Sequence, residues 1–320
     1  MSAGRPPLAR ALVGLAWTHY RELVRQPVFG VVLALGLAMV AASPALAVFS
    51  LGHADALVLD LGASALLFFC VFLAGAAVAA GSAERLTDGT TSLLLTQPIG
   101  AGTLLGGALL GAALALGQAA LLLAVALAWA VRHGPDTWHA GVLLGAGAAA
   151  LGALGWGLRA SLRDRSFQEA TIQAATLLFP LCFLLGQAIG RRGALGGFEA
   201  PPHLVLEAAA LGVQAALAFT ALGLALATRL GPGASAALTI ACFVLSSLVR
   251  GPLASALGPA AGLTHLLPDL QLYWIGDAGY TEKPVPAEYL AQVALYTGLY
   301  VAVWLGLATT SLARRELGRG

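Results

Sequence analysis

The chain has 320 residues, 59% of them hydrophobic and 10% charged, with a net charge of +2. A soluble domain is about half apolar and about a quarter charged, so this chain has too little charge to cover a globule in water. Its sixteen arginines and one lysine form no dense block, which excludes a nucleic-acid patch, and its three cysteines lie in separate apolar runs, as buried small hydrophobes do.

In chain order, the first element is 8–27, L-A-R-A-L-V-G-L-A-W-T-H-Y-R-E-L-V-R-Q-P. Leu8, Leu12, Leu15, Tyr20 and Leu23 share an apolar side, while Arg10, Arg21, Glu22 and Arg25 are polar. Trp17 and Tyr20 suit the headgroup layer. The pattern predicts an amphipathic helix lying in the interface and turning into the membrane at Pro27. The run that follows ends A-S-P-A-L-A (Ala42 to Ala47), similar to a small-residue cleavage site. The charged region before it is too long for a leader, so a retained first span is expected.

A membrane-crossing helix needs about 20 apolar residues. Eight runs qualify or nearly so: 28–50, 61–81, 102–131, 140–158, 170–190, 204–228, 234–249 and 289–312, the seventh being short enough that six or seven spans also fit. The fold class expected is all-α, a polytopic helical membrane protein. One transmembrane domain fills 28–312, between a 1–27 tail with its interfacial helix and a 313–320 tail. With the N-terminus in the cytoplasm, twelve basic residues fall on that side and five on the other (Arg132, Arg191, Arg192, Arg250 and Lys283). An even number of spans puts both Arg-rich termini inside, so the expected location is the cytoplasmic (inner) membrane with both ends cytoplasmic.

Enzyme chemistry finds little to work with. No G-x-x-x-x-G-K-[ST] phosphate loop is present, and the six histidines form no His-x-x-x-His pair. Gly62-Ala63-Ser64-Ala65 matches G-x-S-x, but no histidine lies inside a span to serve as base. Glu169 and Glu207 are acidic residues near span ends, and the interiors carry Gln118, Gln173, Gln187 and Gln214, amides suited to bridging helices. The glycine pairs Gly102/Gly106 and Gly107/Gly111 read as close packing. The outer loop 250–288 is the largest extramembrane segment, and its first half is apolar enough for a re-entrant or interfacial helix. Non-catalytic membrane work is therefore expected, with no metal site and no cofactor in this chain.

The coupling loop, 82–101, is furnished unlike a simple connection. Glu84, Arg85 and Asp88 bring charge, Asp88-Gly89 makes a turn, and Thr90 caps a short helix, Thr91 to Gln97. Leu93, Leu94 and Leu95 form an apolar patch on it, and Pro98 ends it. A capped knob of this kind suits a push from a partner protein.

These features resemble the permease subunits of type-2 ABC exporters, in their eight-span branch. That family has an elbow helix of R-E-(L/F)-x-R-x-P character before the first span, matched here by Arg21, Glu22, Leu23, Arg25 and Pro27. It also has a cytoplasmic E-(x)4-G-T-(x)2-L-L-L-(x)2-P segment after the second span, matched by Glu84, Gly89, Thr90, Leu93, Leu94, Leu95 and Pro98. A-T-R-L-G (227–231), L-L-P-D-L-Q-L-Y-W (266–274), P-A-E-Y-L (286–290) and A-R-R-E-L (313–317) are similar to the branch's C-terminal third. The basic residues that the family often carries after the proline are absent from I-G-A-G-T-L-L-G-G. The resemblance implies a second permease copy or paralogue, two soluble ABC ATPase subunits that bind ATP and Mg, and membrane lipid around the spans. It implies export of a substrate that the sequence does not name. Two other readings stay open: an ATP-independent secondary transporter or channel, and a non-transporting membrane assembly subunit.

Overall fold

The computed structural model describes residues 8–48, 54–87, 100–133, 140–189, 202–248, 264, 266–276 and 283–317. The chain is an all-α polytopic membrane protein. Seven helices are long and apolar enough to cross a membrane, and one shorter apolar helix accompanies them; no strand occurs among the described residues. The first element is α1 (Leu8–Arg25), then α2 (Pro27–Ala47) and α3 (Ala54–Leu73). A π-helical segment, Ala74–Ala79, joins α3 to α4 (Ala80–Thr87), so the second span is one continuous helical rod. The others are α5 (Ala101–His133), α6 (Ala140–Ser161), α7 (Phe167–Ile189), α8 (Pro202–Ala227), α9 (Pro232–Ser246) and α10 (Ala287–Leu317).

Two expectations shift. The second span starts seven residues earlier than its apolar run and ends beyond it, because Ser82 to Thr87 continue as helix rather than opening a loop. That stretch, S-A-E-R-L-T, lacks a Gly or Pro to stop it. Asp88, Gly89, Thr90, Leu93, Leu94, Leu95 and Pro98 lie outside the described residues, as does the first half of 250–288. The short seventh run is α9, 15 residues. At 1.5 Å per residue that is about 22 Å, less than the ~30 Å hydrocarbon thickness.

The core lies where α3, α5 and α8 meet. Leu66, Leu116, Leu123, Leu127, Leu211 and Phe219 are fully buried there. Small residues let the rods close up: a Cβ on Gly62 would run into the Leu127 side chain, and one on Gly212 into Leu66. α6, α7 and α10 are peripheral, with many large apolar side chains facing outward, as lipid contact requires. The π segment packs on α8 and α9, where the Ser235 hydroxyl lies 3.2 Å from the Ala79 carbonyl oxygen. Extra winding frees backbone groups, and a hydroxyl from a neighbouring helix is one way to meet them in an apolar setting.

At the end of the bundle where α3, α8 and α10 begin, the stretch 266–276 is mostly not α-helical and is held by hydroxyls. Tyr300 donates to the Leu266 carbonyl at 2.7 Å and Tyr289 to the Leu272 carbonyl at 2.7 Å. The Tyr296 hydroxyl accepts from the Asp269 amide at 3.2 Å, and Tyr273 meets Thr297 at 2.9 Å. Asp269 caps the 3-10 turn Leu270–Tyr273 by accepting from the Gln271 amide. Burial pushes the Tyr273 hydroxyl up, which keeps it neutral.

Candidate functional site

α1 is the residue-level starting point. Its sequence spacing predicted an apolar stripe through Leu8, Leu12, Leu15, Tyr20 and Leu23. The buried face instead runs through Ala16, His19, Tyr20, Leu23 and Val24, and Leu8 is exposed. The stripe rotates because α1 beds onto α5 across a glycine track. Leu12 approaches Gly106, Leu15 packs at Gly107, and the Ala16 carbonyl and Tyr20 amide come to Gly111. A Cβ on Gly111 would stand 2.5 Å from the Ala16 oxygen, and one on Gly107 2.5 Å from the Leu15 Cβ. Only glycine permits that approach. The pair Gly107/Gly111, read from sequence as close packing, is therefore the seat of α1.

Charged groups fix α1 at two further points. Glu22 pairs with Arg85 of α4, which ties the elbow to the end of the second span. Arg21 Nε donates to Glu169 Oε1 at 2.8 Å, and Arg25 Nε donates to Glu169 Oε2 at 2.6 Å. The Glu169 side chain is 10% exposed, whereas the two arginines are 43% and 47% exposed. The carboxylate thus gives up most of its hydration and recovers it as charge-assisted bonds, while the guanidinium groups stay wet. The bond from Arg21 to Glu169, reinforced by the Glu169 charge, holds the Arg21 guanidinium above its usual value.

The turn before α7 is what aims Glu169. Asp164 adopts φ 56°, and the Arg165 amide donates to the Ala160 carbonyl at 3.0 Å, closing α6 in a left-handed C-cap. Ser166 then accepts from the Glu169 amide at 3.3 Å as the N-cap of α7. The spacing S-F-Q-E is that of a capping box, but the Glu169 side chain turns to the arginines instead of reaching back. Next to it, Gln168 Nε2 donates to the carbonyls of Val24 and Gln26, both at 2.7 Å, at the C-terminal end of α1, where a helix leaves carbonyls unpaired. Gln26 is extended and Pro27 opens α2, so the chain turns here as the Q-P pair predicts.

Deeper along the same face of α7, Gln173 Nε2 reaches Glu169 at 3.3 Å. The Tyr20 hydroxyl donates to Gln118 Oε1 at 2.8 Å, and Gln118 Nε2 donates to Thr176 at 2.7 Å. Positions 169, 173 and 176 stand at i, i+4 and i+7, one side of a helix. Gln118 joins α1, α5 and α7, as expected of it, whereas the Gln173 bond to Glu169 lies within α7. Near the end of α8, Arg229 Nε donates to the Ser311 hydroxyl of α10 at 2.6 Å, and the Thr228 hydroxyl donates to the same oxygen at 2.9 Å.

His19 is 2% exposed where α1 meets α5, with neither ring nitrogen hydrogen-bonded to protein. Burial pushes its imidazole down to about 3, and the Arg85 charge acts in the same direction. It is a neutral ring at ordinary pH. Asp60, placed just outside the second span by its apolar run, is in the second turn of α3 and accepts from Trp274 Nε1 at 3.2 Å. A longer helix than the hydropathy window was the missing signal in that case.

The arrangement contains no candidate acid–base pair with an open reacting position, and no group of three metal-ligating side chains occurs among the described residues. One helix, α1, is bonded to the ends of two spans and bedded on a third. No protein-family model matches the chain, and no characterised protein matches it by sequence.

Proposed function

We propose that this chain is the permease subunit of an ATP-binding cassette exporter, moving a substrate across the cytoplasmic membrane with energy supplied by a separate ATPase subunit. The observation that carries the reading is the junction of Glu22 with Arg85 and of Arg21 and Arg25 with Glu169. The motif residues of the elbow and the start of the coupling segment are bonded to one another and to the α6–α7 hairpin. A displacement applied just beyond Thr87 then reaches α1, the second span and the fifth span together.

In this reading two ATPase subunits bind ATP and Mg, and the permease pairs with a second copy or paralogue. Leu93, Leu94 and Leu95 enter a groove on the ATPase, with Glu84, Asp88, Gly89, Thr90 and Pro98 shaping the contact. Glu84 is exposed at the last turn of α4, in keeping with that assignment. Nucleotide binding favours one permease state only through contacts that differ between the two states. Arg85 faces the elbow and serves in holding rather than in the ATPase groove.

The test is co-expression with a soluble partner carrying G-x-x-x-x-G-K-[ST], ideally one encoded beside this chain. Leu94→Asp, or removal of 88–97, is expected to abolish co-purification and ATP-driven transport while leaving the folded permease intact. A complex that forms and transports equally well with either variant refutes the coupling role.

A further inference from the structure

α8 and α10 run parallel. The Val285 amide and Glu207 join them near their starts at 3.1 Å, and Arg229 and Ser311 near their ends at 2.6 Å. Between their last turns lies a cavity of about 380 Å³, within the 300–1,000 Å³ usual for small-ligand sites. We propose that it seats the phosphate headgroup of one anionic phospholipid, bound by Arg229 and Arg314. Three observations carry this.

First, these two cations have no counter-charge. Leu86 of α4 and Leu312 of α10 share one apolar cluster, so the cavity lies at the same end of the bundle as α1 and its ion pairs. There Arg85 is paired with Glu22, and Arg21 and Arg25 with Glu169. Arg229 and Arg314 are exposed, line the cavity and pair with no carboxylate among the described residues. The cavity wall carries no acidic side chain among them either. Such a wall attracts an anion, and a phosphate has the oxygens that a guanidinium fork matches.

Second, Arg229 is held in place. Its Nε donates to Ser311, whose hydroxyl is in turn tied to Thr228 at 2.9 Å. That bond spends one nitrogen and leaves both terminal nitrogens without a protein partner among the described residues. Trp304, Leu307, Ser311 and Arg314 stand at i, i+3, i+7 and i+10, one side of α10, so Arg314 follows Ser311 by about one turn.

Third, the wall changes character along the helices. Leu226, Trp304 and Leu307 lie towards the middle of the spans, and Arg229, Ser311 and Arg314 at their ends. Trp304 and Arg314 are about 15 Å apart along the axis. A soluble anion would use only the basic end. The volume suits a headgroup and not a whole lipid. The chains continue over the outward side of α10, where Leu299, Val303 and Leu307 are each more than half exposed.

The experiment uses the full chain in nanodiscs of equimolar phosphatidylglycerol and phosphatidylcholine. Native mass spectrometry identifies the last lipid held as collisional activation rises. Phosphatidylglycerol is expected, preferred about twentyfold. Arg229→Gln and Arg314→Gln should each lower the preference about fivefold, and the double variant should bring it to parity. Arg163 is exposed at the same end of the bundle and lines no part of the cavity, so Arg163→Gln should leave the preference unchanged. Excess glycerol phosphate, the headgroup without its chains, should not displace the lipid. Four outcomes overturn the proposal. Equal retention of both lipids would mean that the arginines serve something else, such as an acidic protein surface. An equal loss in Arg163→Gln would reduce the effect to general surface charge. Displacement by glycerol phosphate would make this a soluble-anion site. An undiminished preference in the double variant would place the lipid elsewhere. No ATPase enters the assay, so failure here leaves the transport reading untouched, and the reverse also holds.

Discussion

The two ends of the helical bundle are held by different chemistry. Where α1 meets α4, α5 and α7, the ties are ion pairs and a glycine bed, and they join regular helices to each other. At the opposite end, Tyr289, Tyr296 and Tyr300 of α10 bond the backbone of Leu266, Asp269 and Leu272, and Thr297 meets the Tyr273 hydroxyl. The difference follows from what each end has to satisfy. A helix meets its own backbone bonds and needs only side-chain anchors. A non-helical stretch beside spans carries loose N–H and C=O groups, which must be met by protein. Hydroxyls do that without adding charge.

The glycine bed gives the sharpest way to break this contrast. Gly111→Leu drives a side chain into the Ala16 carbonyl, and α1 should lift at a cost of about 3 kcal/mol. Tryptic cleavage after Arg21 and Arg25 should then accelerate strongly, while the tyrosine end keeps its protection. Gly117 is the control on the same helix, since a Cβ there meets nothing within 4 Å. Gly117→Ala should be neutral or stabilising by up to about 1 kcal/mol.

Next in size is the carboxylate shared by two arginines. Glu169→Ala removes the partner of Arg21 and Arg25 and should cost about 2 kcal/mol, discounted because both guanidinium groups are half exposed. Thermal unfolding in detergent measures it, and high salt should shrink the difference. No loss in either measurement would show that the glycine track alone seats α1.

Acid probes the same end by another route. In the unfolded chain the His19 imidazole takes up a proton near 6.5, and in the folded protein only near 3. The unfolded state therefore binds more protons in that window, and stability contributed by the neutral, buried ring is lost as pH falls through it. The slope is at most about 1.4 kcal/mol per pH unit. His19→Phe should flatten the part of the acid profile due to this ring. An unaltered profile would place the acid sensitivity elsewhere.

The smallest effect belongs to the tyrosine end. Tyr300→Phe removes the donor to the Leu266 carbonyl and should cost about 1 kcal/mol. Hydrogen exchange should rise around 266–273 and not in α1. A change spread over both ends would mean that the two regions are not independent.

The sequence made the architecture legible because hydropathy is a sum over about 20 residues, and such sums tolerate local noise. Seven spans and the short α9 among the described residues each overlap the run expected of them, the second span reaching past both ends of its run. The Q-P turn and the amphipathic character of α1 were readable as well, from residue types alone. What could not be read was pairing across the chain. Nothing near Glu169 in the sequence announces Arg21 and Arg25, which are 148 and 144 positions away. Likewise, Gly107 and Gly111 stand in a chain of 40 glycines, and only the position of α1 distinguishes them from the others. The burial of His19 is hidden from the sequence for the same reason: it is a property of α5, not of its own neighbours.

Those long separations carry a consequence for the order of assembly. α1 is made before the helices it rests on: its glycine bed follows about 90 residues later and Glu169 about 150. At 5–20 residues per second, the 144 positions between Arg25 and Glu169 take roughly 7–30 s to make. During that interval the elbow has neither its bed nor its counter-charge. α1 is seated only once the chain has been made as far as α7, so the contacts that hold it form after the spans between them have been synthesised.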